Sequence, residues 1–491
     1  MKNRYSVIGS GFSGLSAAAV LASQGNNVKV IEKNNQYGGR ARQFEEAGFL
    51  FDMGPSWYWM ADVFDRFFLR FGKQPSDYYN LIKLDPGFQI IFSQDHTMKL
   101  SDKWSNILDL FEYYEKGAGD KLIKFMHDAE IKYNIGMDSL VYNPCLSILE
   151  FFRRDVFMNI SRMNLFTSYR KHVANSFQNP FLRSLLEFPV LFLGTAPSQT
   201  PALYSLMAFS GIKNGTYYPM GGFVKVIEGM VSLCEELGVE FYNNQHVNEF
   251  NFSSNSIKEI VTNSSKFTSD YVICSADYHY FDQKILPKRF RNYSQTYWDS
   301  RVLSPSCLIF YLGINKKINN LEHHNLFFDK DINQHLTDIY KNIKWPEDPL
   351  FYVCCPSKTD SMVAPDGQEN LFLLIPITPG LEDTNLIREV YFNKIITRLE
   401  KYCETSILDS IVFKRSYCIN DFKTDYNSFK GNGYGLANTL SQTANLKPSI
   451  KNKNLSNLFY TGQLTVPGPG VPPALISGQL VADYLIKKTH K

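Results

Sequence analysis

Residues 5–32 read YSVIGSGFSGLSAAAVLASQGNNVKVIE, and this stretch constrains the fold more tightly than any other in the chain. A short apolar strand (Tyr5–Ile8) runs into Gly9-x-Gly11-x-x-Gly14. A helix of small residues follows over Leu15–Ser23, Gly25 ends it, and a second strand (Val28–Ile31) leads to Glu32. Each part has a mechanical duty in a βαβ unit that grips a dinucleotide. Gly9 permits the tight turn, Gly11 lets a pyrophosphate approach the backbone, and Gly14 lets helix and strand pack closely. The helix N-terminus offers free N–H groups and the positive end of its dipole to phosphates. Glu32, eighteen residues beyond Gly14, is placed to accept hydrogen bonds from ribose hydroxyls. The unit predicts an α/β chain built on a Rossmann-type domain.

An acid at the end of the second strand suits an unphosphorylated ribose, hence NAD or FAD. Gly38-Gly39-Arg40-Ala41-Arg42 follows Glu32 by six residues, and Phe51-Asp52-Met53-Gly54-Pro55-Ser56 comes soon after. A glycine pair followed by arginine can bring backbone and guanidinium to one pyrophosphate. That second clamp favours FAD, which flavoproteins bury permanently. A buried flavin needs contacts at its ring end too, and the C-terminus offers them. Asn457–Gly462 (NLFYTG) reads as a buried strand, and Pro467-Gly468-Pro469-Gly470-Val471-Pro472-Pro473 stiffens the loop after it. The prolines suit early helix positions that need no N–H donor. A helix over Ala474–Ile486 would then aim its N-terminus at the flavin ring.

The rest of the chain narrows the function by exclusion. At 491 residues, with 44% hydrophobic and 20% charged, two connected domains are expected. A net charge of only +3 implies no polyanionic partner, so nucleic acid is not expected. The eight cysteines form no CxxC pair and read as buried thiols of a reducing compartment, so no metal site is expected. The N-terminus enters a strand at once, so no signal peptide is expected and the site of action is read as cytoplasmic. The longest uncharged run, Phe188 to Ile212, is broken by Pro189, Gly194, Pro197 and Pro201. It does not read as a membrane-spanning helix, but could dip into a bilayer surface or wall an interior pocket.

With these pieces in place the chain resembles the carotenoid desaturase branch of the FAD-dependent amine oxidase superfamily, bacterial phytoene desaturases in particular. The resemblance spans essentially the whole length. It is carried by GSGFSGLSAAAVLA at the start, FDMGPSWYWMADVF at 51–64, FLGTAPSQTPALYSLM at 192–207 and GTYYPMGGFVKVIEGM at 215–230. CSADYHYFDQKILP at 274–287, SPSCLIFYLGI at 304–314, CCPSKTDSMVAPDG at 354–367, FKGNGYGL at 429–436 and the Pro/Gly tail complete it. It implies that Gly9, Gly11, Gly14, Glu32, Gly39, Arg40 and Gly54 are FAD ligands, that Val247 meets the adenine, and that Gly462, Gly470 and Val471 lie by the flavin ring. Two positions depart from the family pattern. Gln463 stands where relatives often have Ala or an acid. Asn179 stands where some carry a proposed catalytic acid, so no catalytic carboxylate is carried over. Arg183 is the matching polar residue of that patch, a catalytic candidate or a structural one.

The resemblance implies desaturation of phytoene to neurosporene or lycopene. A hydride goes to the flavin and a proton leaves the neighbouring carbon, with quinone or oxygen as the final acceptor. Alternatives are a hydroxycarotenoid 3,4-desaturase, a desaturase of the C30 diapophytoene, a flavin amine oxidase, or a non-catalytic prenyl-binding protein. The developing charge on an allylic carbon spreads into the polyene, so no strong protein base is required. His172, His279, His323 and His324 are read as structural. A C40 polyene is roughly 30 Å or more long and has no hydrogen-bonding handle, so its channel must be apolar. The aromatic content of 15% could line it. Such a substrate lives in lipid, so peripheral association with the inner membrane is expected, with Arg66-Phe67-Phe68-Leu69-Arg70-Phe71 as a candidate docking surface. The expected organisation is a discontinuous FAD-binding domain (1–95, 215–290 and 440–491) and a mixed α+β substrate domain (96–214 and 291–439). The first part of the latter is mostly helical, and the second forms a sheet over the channel.

Overall fold

The computed structural model describes residues 2–146 and 167–489. Its nucleotide half is a five-stranded parallel sheet in the order Leu458–Tyr460, Tyr271–Cys274, Arg4–Ile8 (β1), Asn27–Ile31 (β2), Glu240–Tyr242. In the register of β1, Val7 faces Ile273 on one side and Val30 on the other. Both faces of this sheet are covered, which is why its strands are largely apolar. Tyr5, Val7, Val28 and Val30 pack on helices. Ile8, Ile31, Val272 and Cys274 pack with Val247, Phe250, Ile257 and Ile260 of a three-stranded antiparallel sheet.

The helix Phe12–Ala22 (α1) is buried at each of its 11 residues. It is made of alanine, serine and glycine because it is pressed between two other helices, Val224–Glu236 and the C-terminal Val471–Thr489. The approach is close enough for Ser16 Oγ to donate to the Leu475 carbonyl at 2.8 Å. Both N-termini extend beyond their sequence-based limits. α1 begins at Phe12 rather than Leu15, and the last helix at Val471 rather than Ala474. Pro472 and Pro473 therefore lie within its first turn, where no N–H is needed.

The second half is a seven-stranded sheet in the order Ile411–Tyr417, Ser306–Ile314, Glu369–Ile377, Phe351–Cys354, His324–Phe327, Phe88–Ser93, His96–Leu100. Ser306–Ile314 is buried at all nine positions. Leu308, Phe310 and Leu312 face Phe392, Ile395 and Ile396 of the helix Asn385–Cys403. Ile309 and Tyr311 face the opposite core, with Phe49, Phe51 and the helical segment around Leu185 and Leu186. Phe88–Ser93, expected within the nucleotide segment 1–95, pairs in parallel with His324–Phe327 and so belongs to this second sheet. Hydrophobic pattern alone cannot say which sheet a buried strand joins.

Between residues 96 and 214 the described elements are largely helical, among them Trp104–Tyr114, Ala118–Ile135 and Pro180–Glu187. Residues 147–166 of that segment lie outside the described residues. The uncharged run Phe188–Ile212 packs into the core, with Phe188, Val190, Ala202 and Ala208 all buried, and its described residues line neither cavity reported below. Among the described residues no helix is long and apolar enough to cross a membrane. In the Arg66–Phe71 stretch Leu69 is exposed. Phe67 and Phe68 are fully buried, and the arginines pair outward with Asp138 and Asp483.

Candidate active site

The two ends of the chain meet at one large cavity. Its lining includes Gly9, Gly11, Glu32, Gly39, Arg40, Gly54 and Val247 from the nucleotide side, and Gly462, Gly470 and Val471 from the tail. The β1–α1 turn is held by two backbone bonds, Gly9 N–H to Ile31 O at 2.8 Å and Gly38 N–H to Ser10 O at 3.0 Å. Glu32 is buried, and its carboxylate is oriented from both sides. One oxygen accepts from the backbone and hydroxyl of Ser10 at 2.9 and 2.7 Å, the other from Asn34 N–H at 2.9 Å. With Asn34 Nδ2 also donating to that second oxygen at 3.0 Å, each oxygen accepts two bonds, and a ribose hydroxyl would bind Glu32 in exchange with one of these Ser10 or Asn34 donors.

Gly11 and Gly39 face one another across the cavity floor. A β-carbon on Gly39 would lie 3.4 Å from the Gly11 Cα, while one on Gly11 would meet nothing within 4 Å. That room lies at the N-terminus of α1, where phosphate oxygens are favoured. Beside it, Arg40 is a buried cation with an unmet N–H. Its Nε is buried without a hydrogen-bond acceptor, and its Nη2 reaches Ser428 Oγ and the Asn432 carbonyl only at 3.4 Å each. Its guanidinium stands 5.0 Å from the Tyr426 ring, and burial holds it below the ordinary arginine range. A donor set of this kind fits a pyrophosphate. The acceptors of Glu32, the open room over Gly11 and the unmet N–H of Arg40 together fit FAD.

Gly14 does not line the cavity. A β-carbon there would sit 2.0 Å from the Gly9 carbonyl oxygen, so its part is helix–strand packing. Gly54 packs on the Arg40 backbone, its notional β-carbon 2.6 Å from the Arg40 carbonyl oxygen. At the tail, Gly462 has φ +107°, a left-handed value that other residues reach only under strain. Its N–H donates to Ser477 Oγ at 3.0 Å, which ties strand to helix. With its amide oriented to satisfy its neighbours, Gln463 Oε1 accepts from Arg40 Nη2 at 2.9 Å and its Nε2 donates to the Tyr434 carbonyl at 3.1 Å. Arg183 lies elsewhere: its Nε donates to the Phe177 carbonyl at 2.6 Å and its Nη2 to Gln178 at 3.1 Å, outside the cavity lining. Asn179 caps the helix Pro180–Glu187, its Oδ1 accepting from Phe181 and Leu182 N–H.

Past the tail glycines the lining turns apolar, with Met53, Cys307, Ile309, Leu374 and Phe422 joined by Tyr434. The sequence reading missed Asp277, which also lines this cavity. It caps the turn after Cys274, taking Tyr280 N–H at 2.9 Å and Phe429 N–H at 3.1 Å. Burial pushes its carboxyl up to about 6. Its only trace in the sequence is an aspartate of capping type ahead of Tyr278-His279-Tyr280.

Comparison with known proteins matches this architecture. The profile of flavin-containing amine oxidoreductases covers residues 12–486. A carotenoid 3,4-desaturase of Haloarcula japonica is 39% identical over 98% of this chain and 97% of its own length. A zeta-carotene-forming phytoene desaturase of Myxococcus xanthus is 29% identical over 99% and 94%. The structure of cyclohexylamine oxidase from Brevibacterium oxydans superposes with a TM-score of 0.60, covering 100% of both chains at 14% identity, a likeness of fold.

Proposed function

The chain belongs to the flavin-containing amine oxidoreductases and, within them, to the FAD-dependent carotenoid desaturases; from that premise we propose that it introduces a double bond at the 3,4 position of a carotenoid. What supports this position over phytoene, the sequence-based expectation, is similarity. The 3,4-desaturase stands at 39% identity and the phytoene desaturase at 29%, each over nearly the whole chain. Phytoene desaturation remains the second reading, favoured by the GPSWYW stretch at 54–59.

Bound FAD supplies the hydride acceptor. The protein's share is grip, orientation and exclusion of water. Glu32 would take the ribose hydroxyls and Arg40 the pyrophosphate, with Gly11 and Gly39 leaving it room. Val247 would lie at the adenine, and Gly462, Gly470 and Val471 at the ring. Met53, Ile309, Leu374 and Phe422 would keep the polyene dry beside it. The positive charge left on an allylic carbon spreads along the conjugated chain, so the proton can leave without a strong base in this wall. We read the enzyme as a peripheral membrane protein that passes electrons on to quinone or oxygen.

The test is expression in two bacterial hosts, one accumulating phytoene and one accumulating a carotenoid saturated at carbons 3 and 4. Gain of one double bond in the second host, with phytoene unchanged in the first, is the expected result. Coloured products from phytoene would install the second reading, and unchanged pigment in both hosts would overturn both.

A further inference from the structure

Behind the cavity wall lies a second, much smaller cavity of about 20 Å³, lined in part by Asp52, Gly54, Ser56, Tyr218, His323 and Cys354. Gly54 lines both. The volume suffices for one water molecule or one ion. Antiparallel pairing sets His324 directly opposite Cys354, and His323 turns in from the preceding position. One ring nitrogen of each histidine and the Cys354 Sγ lie within 4.8 Å of one another. The three residues are only 4%, 0% and 2% exposed. No local pattern marks the cluster, since thirty residues part His324 from Cys354 and strand pairing unites them.

The hydrogen bonds decide which nitrogens are available. His323 Nδ1 is bonded to Thr359 Oγ1 at 2.8 Å, and His324 Nδ1 to the Tyr352 hydroxyl at 2.6 Å. That hydroxyl donates its own proton to Ser56 Oγ at 3.0 Å, so it accepts from His324 Nδ1–H. His324 Nε2 is then a bare lone pair. Both Nε2 atoms are buried without a hydrogen-bond partner. Two buried, unpartnered ring nitrogens therefore belong to residues clustered with one thiol. A histidine held through one nitrogen by a hydroxyl while the other faces a void has the arrangement of a metal ligand with its outer support. The rings are fixed as well: Trp57 stacks on His324 at 4.1 Å, and Tyr218 lies 4.6 Å from His323.

We propose that His323 and His324, each through one ring nitrogen, and Cys354 through Sγ bind one borderline-soft divalent cation of the zinc type. Two imidazoles and a thiolate suit such an ion, whereas magnesium and calcium require oxygen ligands. Binding replaces the thiol proton by the metal, M²⁺ + Cys–SH giving Cys–S–M⁺ and H⁺, with the proton released to solvent and no electron transferred. The ion's role is structural. It clamps the strands His324–Phe327 and Phe351–Cys354 beneath the Met53–Ser56 loop, and Tyr352 carries the constraint to Ser56. The inference is independent of which carotenoid is the substrate.

The experiment uses full-length flavin-loaded protein, stripped with chelator and titrated with Zn²⁺ alone. Expected are one equivalent bound per chain and an X-ray absorption spectrum with nitrogen scatterers near about 2.0 Å and one sulfur near about 2.3 Å. Cys354→Ser should lose the sulfur shell, and Thr359→Val should weaken affinity about 10–100-fold with flavin content unchanged. Failure of the wild-type protein to bind one saturable equivalent, or a shell without sulfur, overturns the site whether or not the variants fold.

Discussion

A β-carbon added at Gly11 meets nothing within 4 Å, whereas one at Gly14 lies 2.0 Å from the Gly9 carbonyl oxygen. The two glycines of one motif therefore fail differently when replaced. Gly11→Val is expected to fold, with an unchanged melting temperature of the apoprotein, and to retain no flavin absorbance. Gly14→Ala is expected to lower apoprotein stability itself, by about 1–3 kcal/mol. A yellow, fully loaded Gly11→Val protein would count against the assigned cofactor position. Lys447 makes a separate point at this scale. Its Nζ is buried without a partner, and burial lowers it from 10.5 to about 7. Between those values the unfolded chain holds a proton that the folded chain does not. Lys447 therefore disfavours folding more and more as pH falls from 10.5 to 7, and by a constant amount below. Lys447→Met should be the more stable protein at pH 7, by about 1–3 kcal/mol, with the gap closing towards pH 10.5; denaturant melts at both pH values check it. Single residues were the least legible level. The acid at Asp277 has meaning only because it lines the same cavity as Arg40, and no local pattern marks that meeting.

At the scale of elements, the contact between α1 and the C-terminal helix does most to shape the site. A β-carbon at Gly478 would sit 2.0 Å from both Ser13 O and Ser16 Oγ, so even alanine must push the two helices apart. Gly478→Ala is expected to destabilise the protein by about 1–3 kcal/mol and to weaken flavin retention as well, since both helices start at the cavity. Equal flavin content in that variant after gel filtration would break the link between this packing and the cofactor site. Elements were largely readable beforehand. The strand–glycine–helix–strand run at 5–32 predicts its own geometry because every part serves a local constraint. The edges are less so: the prolines at 472 and 473 read as early helix positions, yet the helix begins before both, at Val471. Phe88–Ser93 falls in the segment expected for the nucleotide domain but joins the other sheet, because a buried strand carries no label for its partner.

For the molecule as a whole, the cavity joins Gly9 to Val471, residues more than 450 positions apart. The family motifs made that closure legible; composition alone did not. A chain ending at Thr461 would lack the second grip, and is expected to purify colourless even if its nucleotide sheet survives. Flavin absorbance of that truncation, compared with full-length protein from the same host, is the measurement.

The sequence distance between the glycine turn and the Val471 helix also sets a schedule for biogenesis. A ribosome translating this message finishes the glycine turn more than 450 residues before it supplies the Val471 wall of the cavity. Loading must therefore wait until that helix has been made. Flavin scarcity in the cell would leave open polypeptides waiting, the population most exposed to proteases.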